Sequence, residues 1–172
     1  VCSSDLRMAE LSQVLKDNAT WGVGGTGRMI VTALAAAAGG NVTGSTAGML
    51  QGAAVNYLQA LGTQQVKEIA DNLDSDAARV ALHGIVACAG AAAQSQSCGA
   101  GAAGAGASVV LNNLLDGLNR TEAGSLTAEE KEARSNLVSG LVAGITSAVG
   151  GDAAAAGLAA RIETENNAAF VP

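Results

Sequence analysis

Gly22-Val23-Gly24-Gly25-Thr26-Gly27 spells the G-x-G-x-x-G pattern in which a glycine turn lets the backbone cradle a dinucleotide pyrophosphate. That chemistry needs a hydrophobic strand before the glycines and an acidic side chain about twenty positions later to hold the ribose. Lys16 to Thr20 is polar, and Gly40 to Gly44 contains no acid. The run is no phosphate-binding P-loop either, because Gly27 is followed by Arg28 and Met29 instead of Lys and Ser or Thr. No cofactor is expected.

His83 is the only imidazole, with no carboxylate three or four positions on to orient it, so it reads as a packed side chain on an apolar helix face. No Ser/His/Asp, Cys/His or spaced-carboxylate set can be assembled, and the acids fall on helix caps and exposed faces. The chain is therefore expected not to be an enzyme, and one His makes a metal site unexpected. Cys88 and Cys98 lie ten positions apart across a Ser/Gln turn. That spacing suits a disulfide in an exported protein, while two buried thiols packing as small hydrophobes would also satisfy it. Cys2 is set aside, because Val1-Cys2-Ser3-Ser4-Asp5-Leu6 reads as the in-frame translation of a common sequencing adapter. Residues 1–6 are expected to be foreign to the natural chain, which reads as an excerpt from something longer.

The elements that must carry these residues are helices. Pro occurs only at position 172, alternating β-branched runs are absent, and Ala, Leu, Gln and Glu fill the segments between glycine clusters. The expected class is all-α, an Ala/Gly-rich bundle of about six to seven helices around a central small-residue hairpin. An amphipathic helix is predicted over Met8 to Asn18 with Leu11, Val14 and Leu15 on one face. A second covers Gly27 to Ala38 and stops at Gly39-Gly40-Asn41. A third starts at a Ser45-Thr46 cap, carries Met49, Ala53, Tyr57 and Leu61, and is expected to bend at Gly62-Thr63 before Gln64 to Leu73.

Asp74-Ser75-Asp76 supplies the next N-cap, for a helix running to Ala93. After a turn at Gln94 to Ser97, a partner helix runs from Gly99 to Leu118 to complete the hairpin. Thr127-Ala128-Glu129-Glu130 fits a capping box that opens a helix to Val149, and a last helix runs from Asp152 to Glu165. The hairpin carries no formal charge from Val80 to Leu115, which permits membrane activity. Each arm is expected to fall short of the roughly 20 strongly apolar residues of a span, so the sequence favours a buried hairpin.

Composition narrows the partners. Ala is the commonest residue, beside 23 Gly, while Phe, Trp and Tyr occur once each. Such a core gains little apolar area per residue and relies on close helix approach, so modest stability is expected. The net charge of −6 and the lack of any Lys/Arg cluster argue against nucleic acid and against anionic lipid.

Leu126-Thr127-Ala128-Glu129-Glu130-Lys131, then Leu141-Val142-Ala143-Gly144, Gly150-Gly151-Asp152-Ala153 and Ile162-Glu163-Thr164-Glu165-Asn166-Asn167 together resemble a known family. It is the pre-toxin domain, with its Val-Glu-Asn-Asn motif, of filamentous-haemagglutinin-like exoproteins of contact-dependent growth inhibition. Trp21, Gly24-Gly25, Arg28, Asp76-Ala77-Ala78-Arg79-Val80 and His83 look like the Ala/Gly-rich segment that precedes the motif. Thr164 stands where the family carries Val. The resemblance divides the chain into an upstream helical segment, 7–118, a linker, 119–125, the pre-toxin helical pair, 126–167, and a junction, 168–172.

The resemblance implies a secreted or cell-surface protein in which this region joins an export-and-adhesion filament to a variable C-terminal toxin beginning after Pro172. Its implied partners are that toxin, an outer-membrane two-partner transporter acting on another region, and a target-cell surface or membrane. A cognate immunity protein would bind the toxin rather than this segment. The alternatives are a structural spacer of an adhesin and a membrane-active hairpin assisting translocation. Glu165, Asn166 and Asn167 are the candidate junction residues. On chemistry alone they suit a frayed, amide-rich helix terminus or a plain C-cap; alternatively, an Asn side-chain amide attacks its own backbone carbonyl and releases the toxin as a cyclic imide forms.

Overall fold

A computed structural model describes residues 3–23, 25–40, 46–73, 75–119 and 126–168. They form seven α-helices and no strand: α1 (Ser3–Trp21), α2 (Thr26–Gly40), α3 (Thr46–Leu73), α4 (Asp76–Ala93), α5 (Cys98–Asn119), α6 (Ala128–Ala148) and α7 (Ala153–Glu163), the last running into a π-helical turn, Thr164–Ala168. The chain is all-α, as the lack of internal proline and of strand patterning dictates.

Three caps form at the positions the sequence marks. Ser75 accepts from the Ala78 amide at 3.2 Å and opens α4. Thr127 and Glu130 close a capping box, in which Thr127 N donates to Glu130 Oε2 at 2.8 Å and Glu130 N to Thr127 Oγ1 at 3.3 Å. Asp152 accepts from Ala155 N at 3.0 Å and opens α7. Asp74 and Ser45 lie outside the described residues, as do Asn41 and positions 120–125 of the expected linker. Asn119 itself is the last residue of α5.

Two helices differ from expectation. α3 does not bend at Gly62-Thr63 but runs unbroken for 28 residues. Thr63 donates its hydroxyl to the Gln59 carbonyl at 2.8 Å, which keeps it compatible with the helix. Gly62 serves packing instead: a Cβ there would lie 3.2 Å from Val86 Cγ1 on α4. α1 is longer than Met8 to Asn18 and includes Trp21, yet Leu11, Val14 and Leu15, expected to face a core, are all exposed. Amphipathic spacing chose the helix correctly, but no described element covers its apolar face.

Around α5 the bundle is tight. α5 packs on α4, α6 and α7, α3 bridges α4 and α2, and the core is dominated by Ala87, Ala91, Ala105, Ala156, Ala159 and Ala160, with Val138 and Val142. Glycines set the spacing. A Cβ on Gly101 would lie 2.8 Å from the Ala87 carbonyl oxygen of α4, and one on Gly104 would lie 2.2 Å from the Ala156 carbonyl oxygen of α7. Only a residue without a side chain fits at that separation. Cys88, on α4, and Cys98, the first residue of α5, are joined as a disulfide with Cα atoms 4.0 Å apart.

Many of the large apolar side chains lie on the outside. Ile85, Val110, Leu114, Leu141, Ile145 and Val149 are exposed, whereas Asn56, Gln59, His83, Ser108, Asn112, Arg134 and Ser135 are buried. Helices that approach through Ala and Gly have no room between them for leucine, so the leucines are displaced outward.

Replacing Gly104 by Ala should lower stability by about 1–3 kcal/mol, because a backbone oxygen occupies the site and the gain in helix propensity is smaller. Gly140→Ala and Gly144→Ala, which meet open space on α6, should instead stabilise by up to about 1 kcal/mol. Thermal unfolding of the three variants checks the opposite signs. Reduction of the purified chain should raise its mass by two hydrogens; an unchanged mass with two free thiols would retire the Cys88 to Cys98 bond.

Candidate functional site

The residues that close the chain's last described element are held by four other helices. In the π turn the backbone ring is one residue wider than in an α-helix, a form found mostly as single turns and frequently at functional sites. Thr164, Glu165 and Asn166 are all buried, with exposures of 0, 3 and 4 %. A frayed terminus is therefore not what these residues form. The side chain of Asn167 lies outside the described residues.

Glu165 is clamped by charge. Its Oε1 accepts from Arg28 Nη2 of α2 at 3.0 Å, from Arg161 Nε at 2.9 Å and from Ser135 Oγ of α6 at 3.3 Å. Arg28 also pairs with Glu132 of α6, and Arg161 Nη2 stands 3.8 Å from Glu132 Oε1. Two guanidinium groups and two carboxylates thus neutralise one another where α2, α6 and α7 meet. Burial works against the Arg28 charge, but the adjoining carboxylates of Glu165 and Glu132 outweigh it and hold the guanidinium above its ordinary value.

Asn166 is engaged at both ends of its amide. Its Nδ2 donates to the Ile162 carbonyl at 2.8 Å, and its Oδ1 accepts from Gln64 Nε2 of α3 at 3.1 Å. Attack of this amide nitrogen on its own carbonyl carbon requires the Ile162 bond to break first. In the folded state Asn166 is a structural tie.

Beneath the motif lies a second polar cluster. Ser108 of α5 faces two acceptors, the Ala160 carbonyl at 3.1 Å and the Glu163 carboxyl, and shares a hydrogen bond of 2.8 Å with Thr164 Oγ1 in which either hydroxyl can donate. Asn112 donates to Thr164 Oγ1 at 3.1 Å, and its Oδ1 accepts from Arg134 Nε at 2.6 Å. Arg134 continues to Asp116 Oδ1, also at 2.6 Å. Burial pushes the Glu163 carboxyl up to about 7, against the opposing pull of the Ser108 hydrogen bond, Arg79, Asn112 and Arg134. One serine proton cannot serve both the Ala160 carbonyl and an ionised Glu163 carboxylate. A neutral Glu163 relieves the conflict, since its own O–H can donate to Ser108 and free the serine proton for the Ala160 carbonyl.

The other residues singled out by sequence fall elsewhere. Gly22 and Gly25 close a turn between α1 and α2, with Gly25 N donating to the Gly22 carbonyl at 2.9 Å, and a helix rather than a strand leads into it. A Cβ on Gly25 would lie 2.6 Å from the Thr20 carbonyl oxygen, so this glycine is there for helix-to-helix closeness. His83 is buried in α4. Cys88 and Cys98 sit at the α4–α5 tip, away from the motif. Among the described residues no group of three His, Cys, Asp or Glu side chains could hold a metal ion. Sequence reasoning missed Gln64, Ser108, Asn112, Glu132, Arg134 and Ser135 as site residues. The one available signal was polar side chains, Ser108 and Asn112, one helical turn apart inside an otherwise small and apolar helix.

Comparison with known proteins adds no relative: no family model, no curated protein and no solved structure matches this chain. What the described side chains do is tie the π turn to α2, α3, α5 and α6.

The clamp should be sensitive to pH. A carboxyl whose folded value lies above its unfolded value of 4.5 contributes stability that is fully present below 4.5 and lost as pH rises through about 7. Glu163→Gln, a neutral isostere, should match the wild type near pH 4.5 and exceed its stability at pH 8 by roughly 2–3 kcal/mol. Urea unfolding of both proteins at the two pH values measures the difference. Equal stability at pH 8 would show that Glu163 is not held neutral by its surroundings.

Proposed function

We propose that this chain is the non-catalytic junction module of a secreted contact-dependent inhibition exoprotein, linking the export filament to a variable C-terminal toxin and aiding its release or delivery into target bacteria. The observation that carries the reading is the burial of Thr164, Glu165 and Asn166 in a π turn tied to α2, α3, α5 and α6. A segment whose work is to fix the point where one part of a polypeptide hands over to the next needs its exit residues anchored on several elements, and these are. The motif that resembles the family's junction signature is also the most heavily tied stretch of the described chain.

Its partners in this reading are the toxin in the same polypeptide, the outer-membrane transporter acting through another region, and the target-cell surface. The immunity protein engages the toxin. Glu165 and Asn166 serve as the anchor. Release by imide formation at the Asn166-Asn167 pair remains a chemical route, and for Asn166 it is coupled to the clamp: its amide becomes available only once its bond to the Ile162 carbonyl breaks. The amide nitrogen would bond to the asparagine's own carbonyl carbon, and the peptide nitrogen of the next residue would leave as a free amine.

Expression of the coding region downstream of Pro172, in a cell lacking the neighbouring gene, should arrest growth, and restoring the neighbour should relieve the arrest. No inhibition would leave the adhesin-spacer reading in its place. In the same cells a toxin fused after Pro172 should be freed at a lower rate when Asn166 and Asn167 are both changed to Ala, if imide formation is the route. Release at an unchanged rate removes that chemistry and leaves the anchor.

A further inference from the structure

The α4–α5 and α6–α7 hairpins point the same way. Their loops meet where Ser97 N donates to Asp152 Oδ2 at 3.2 Å. Charge is distributed unevenly along them. No Asp, Glu, Lys or Arg occurs from Val80 to Leu115, from Ser135 to Gly151, or from Ala153 to Ala160. Asp152 is the single charged residue at the loop end. The opposite end holds the ion pairs: Arg28 with Glu165 at 3.0 Å, Arg134 with Asp116 at 2.6 Å, and Arg79 with Asp71.

Between these ends the surface is apolar and open. Ile85, Val110, Leu114, Leu141, Ile145 and Val149 all point outward, with Ile85 65 % and Val149 79 % exposed. α4 and α5 are each long and apolar enough to cross a membrane, and only 22 and 33 % of their apolar windows are buried. α5 is 22 residues long, but its charge-free part ends at Leu115, before Asp116. A core helix of a soluble bundle passes the same composition test but is mostly covered; these two are not. The inter-helix contacts of the hairpin are Gly and Ala approaching backbone, such as Gly101 on Ala87 and Gly84 on Ala102. Packing of that kind does not depend on water being expelled, and it persists in hydrocarbon. The polar side chains Ser108 and Asn112 face inward, as they must in lipid.

We propose that the charge-poor loop end of the α4–α7 unit, together with the outward apolar faces behind it, inserts into the hydrocarbon of a lipid bilayer. At 1.5 Å per residue the charge-free stretches of α4 and α5 reach roughly 20–27 Å, but that of α7, Ala153 to Ala160, reaches only roughly 12 Å before Arg161, so the unit enters one leaflet and does not cross the roughly 30 Å of a hydrocarbon core. The ion pairs at the open end then stay at the near interface, where the Arg79 stem extends its charge to water. The Gln94 to Ser97 turn and Asp152 lead the insertion, the Asp152 carboxylate accepting from the Ala155 and Ser97 amides. With a net charge of −6 the chain gains nothing from anionic lipid. The proposal stands apart from the junction reading, since an adhesin spacer with these faces would behave in the same way.

Flotation of the purified, oxidised chain with sealed phosphatidylcholine vesicles tests it. The wild type should rise with the vesicles, and adding phosphatidylglycerol should not strengthen the association. Leu114→Lys and Ile145→Lys each place a charge on an exposed face, so both variants should keep their helical circular dichroism while their vesicle-bound fraction drops about tenfold or more. A wild type that stays at the bottom of the gradient overturns the proposal. So does equal flotation of the two lysine variants. A concentration-dependent dimer that the lysine substitutions abolish, in a chain that does not float, would overturn it too and assign these faces to a second copy.

Discussion

The distance between α5 and α7 governs the rest of the molecule. Where the Ala156 carbonyl stands 2.2 Å from the place a Cβ would take on Gly104, the two backbones are as near as helices come. Each contact there is a weak dispersion term, and cohesion depends on having many of them in register. Leucine does not fit where the backbones are this close, so the leucines of α3 and α6, with Leu114 and Leu118 of α5, are turned outward. The small residues thereby decide both what is inside and what is outside.

An interface of alanine and glycine is also poorly specific, because one small-residue register packs nearly as well as the next. The polar groups break that degeneracy. Ser108 and Asn112 meet Thr164 and Glu163 in one alignment of α5 with the end of α7, and Arg28 meets Glu165 and Glu132 in one alignment of α2 with α6. A slip by one turn would leave buried carboxyl and guanidinium groups without partners, at a cost of several kcal/mol. We read these clusters as the register pins of a bundle whose apolar core cannot set its own register. They are also what fixes the terminal motif.

Much of this was legible before the structure. Ser75, Thr127 with Glu130, and Asp152 announce three helix starts because capping is local, involving a side chain and an amide three residues away. The small-residue core follows from composition, and the hairpin from the turn at Gln94 to Ser97. What could not be read depends on distant partners. Gly62 looked like a break because glycine weakens a helix taken alone, and only Val86 on another helix explains it. α1 showed amphipathic spacing, but periodicity says which face is apolar without saying that something covers it. The inward turn of Thr164, Glu165 and Asn166 needs Arg28, Gln64 and Ser108, which lie far upstream, and nothing local to them says that they meet this motif. The quoted motif located the site; its burial came from tertiary structure alone.

The bond between Cys88 and Cys98 has a mechanical side. A chain drawn end-first through a narrow channel normally passes as a single extended thread, each residue contributing roughly 3.5 Å. Here the stretch between the two sulfurs cannot be straightened while the bond holds, so roughly 35 Å of contour is withheld and the tip must travel as two parallel strands. The minimum bore of any channel that admits this segment is therefore set by the redox state of its surroundings rather than by the strength of its helices.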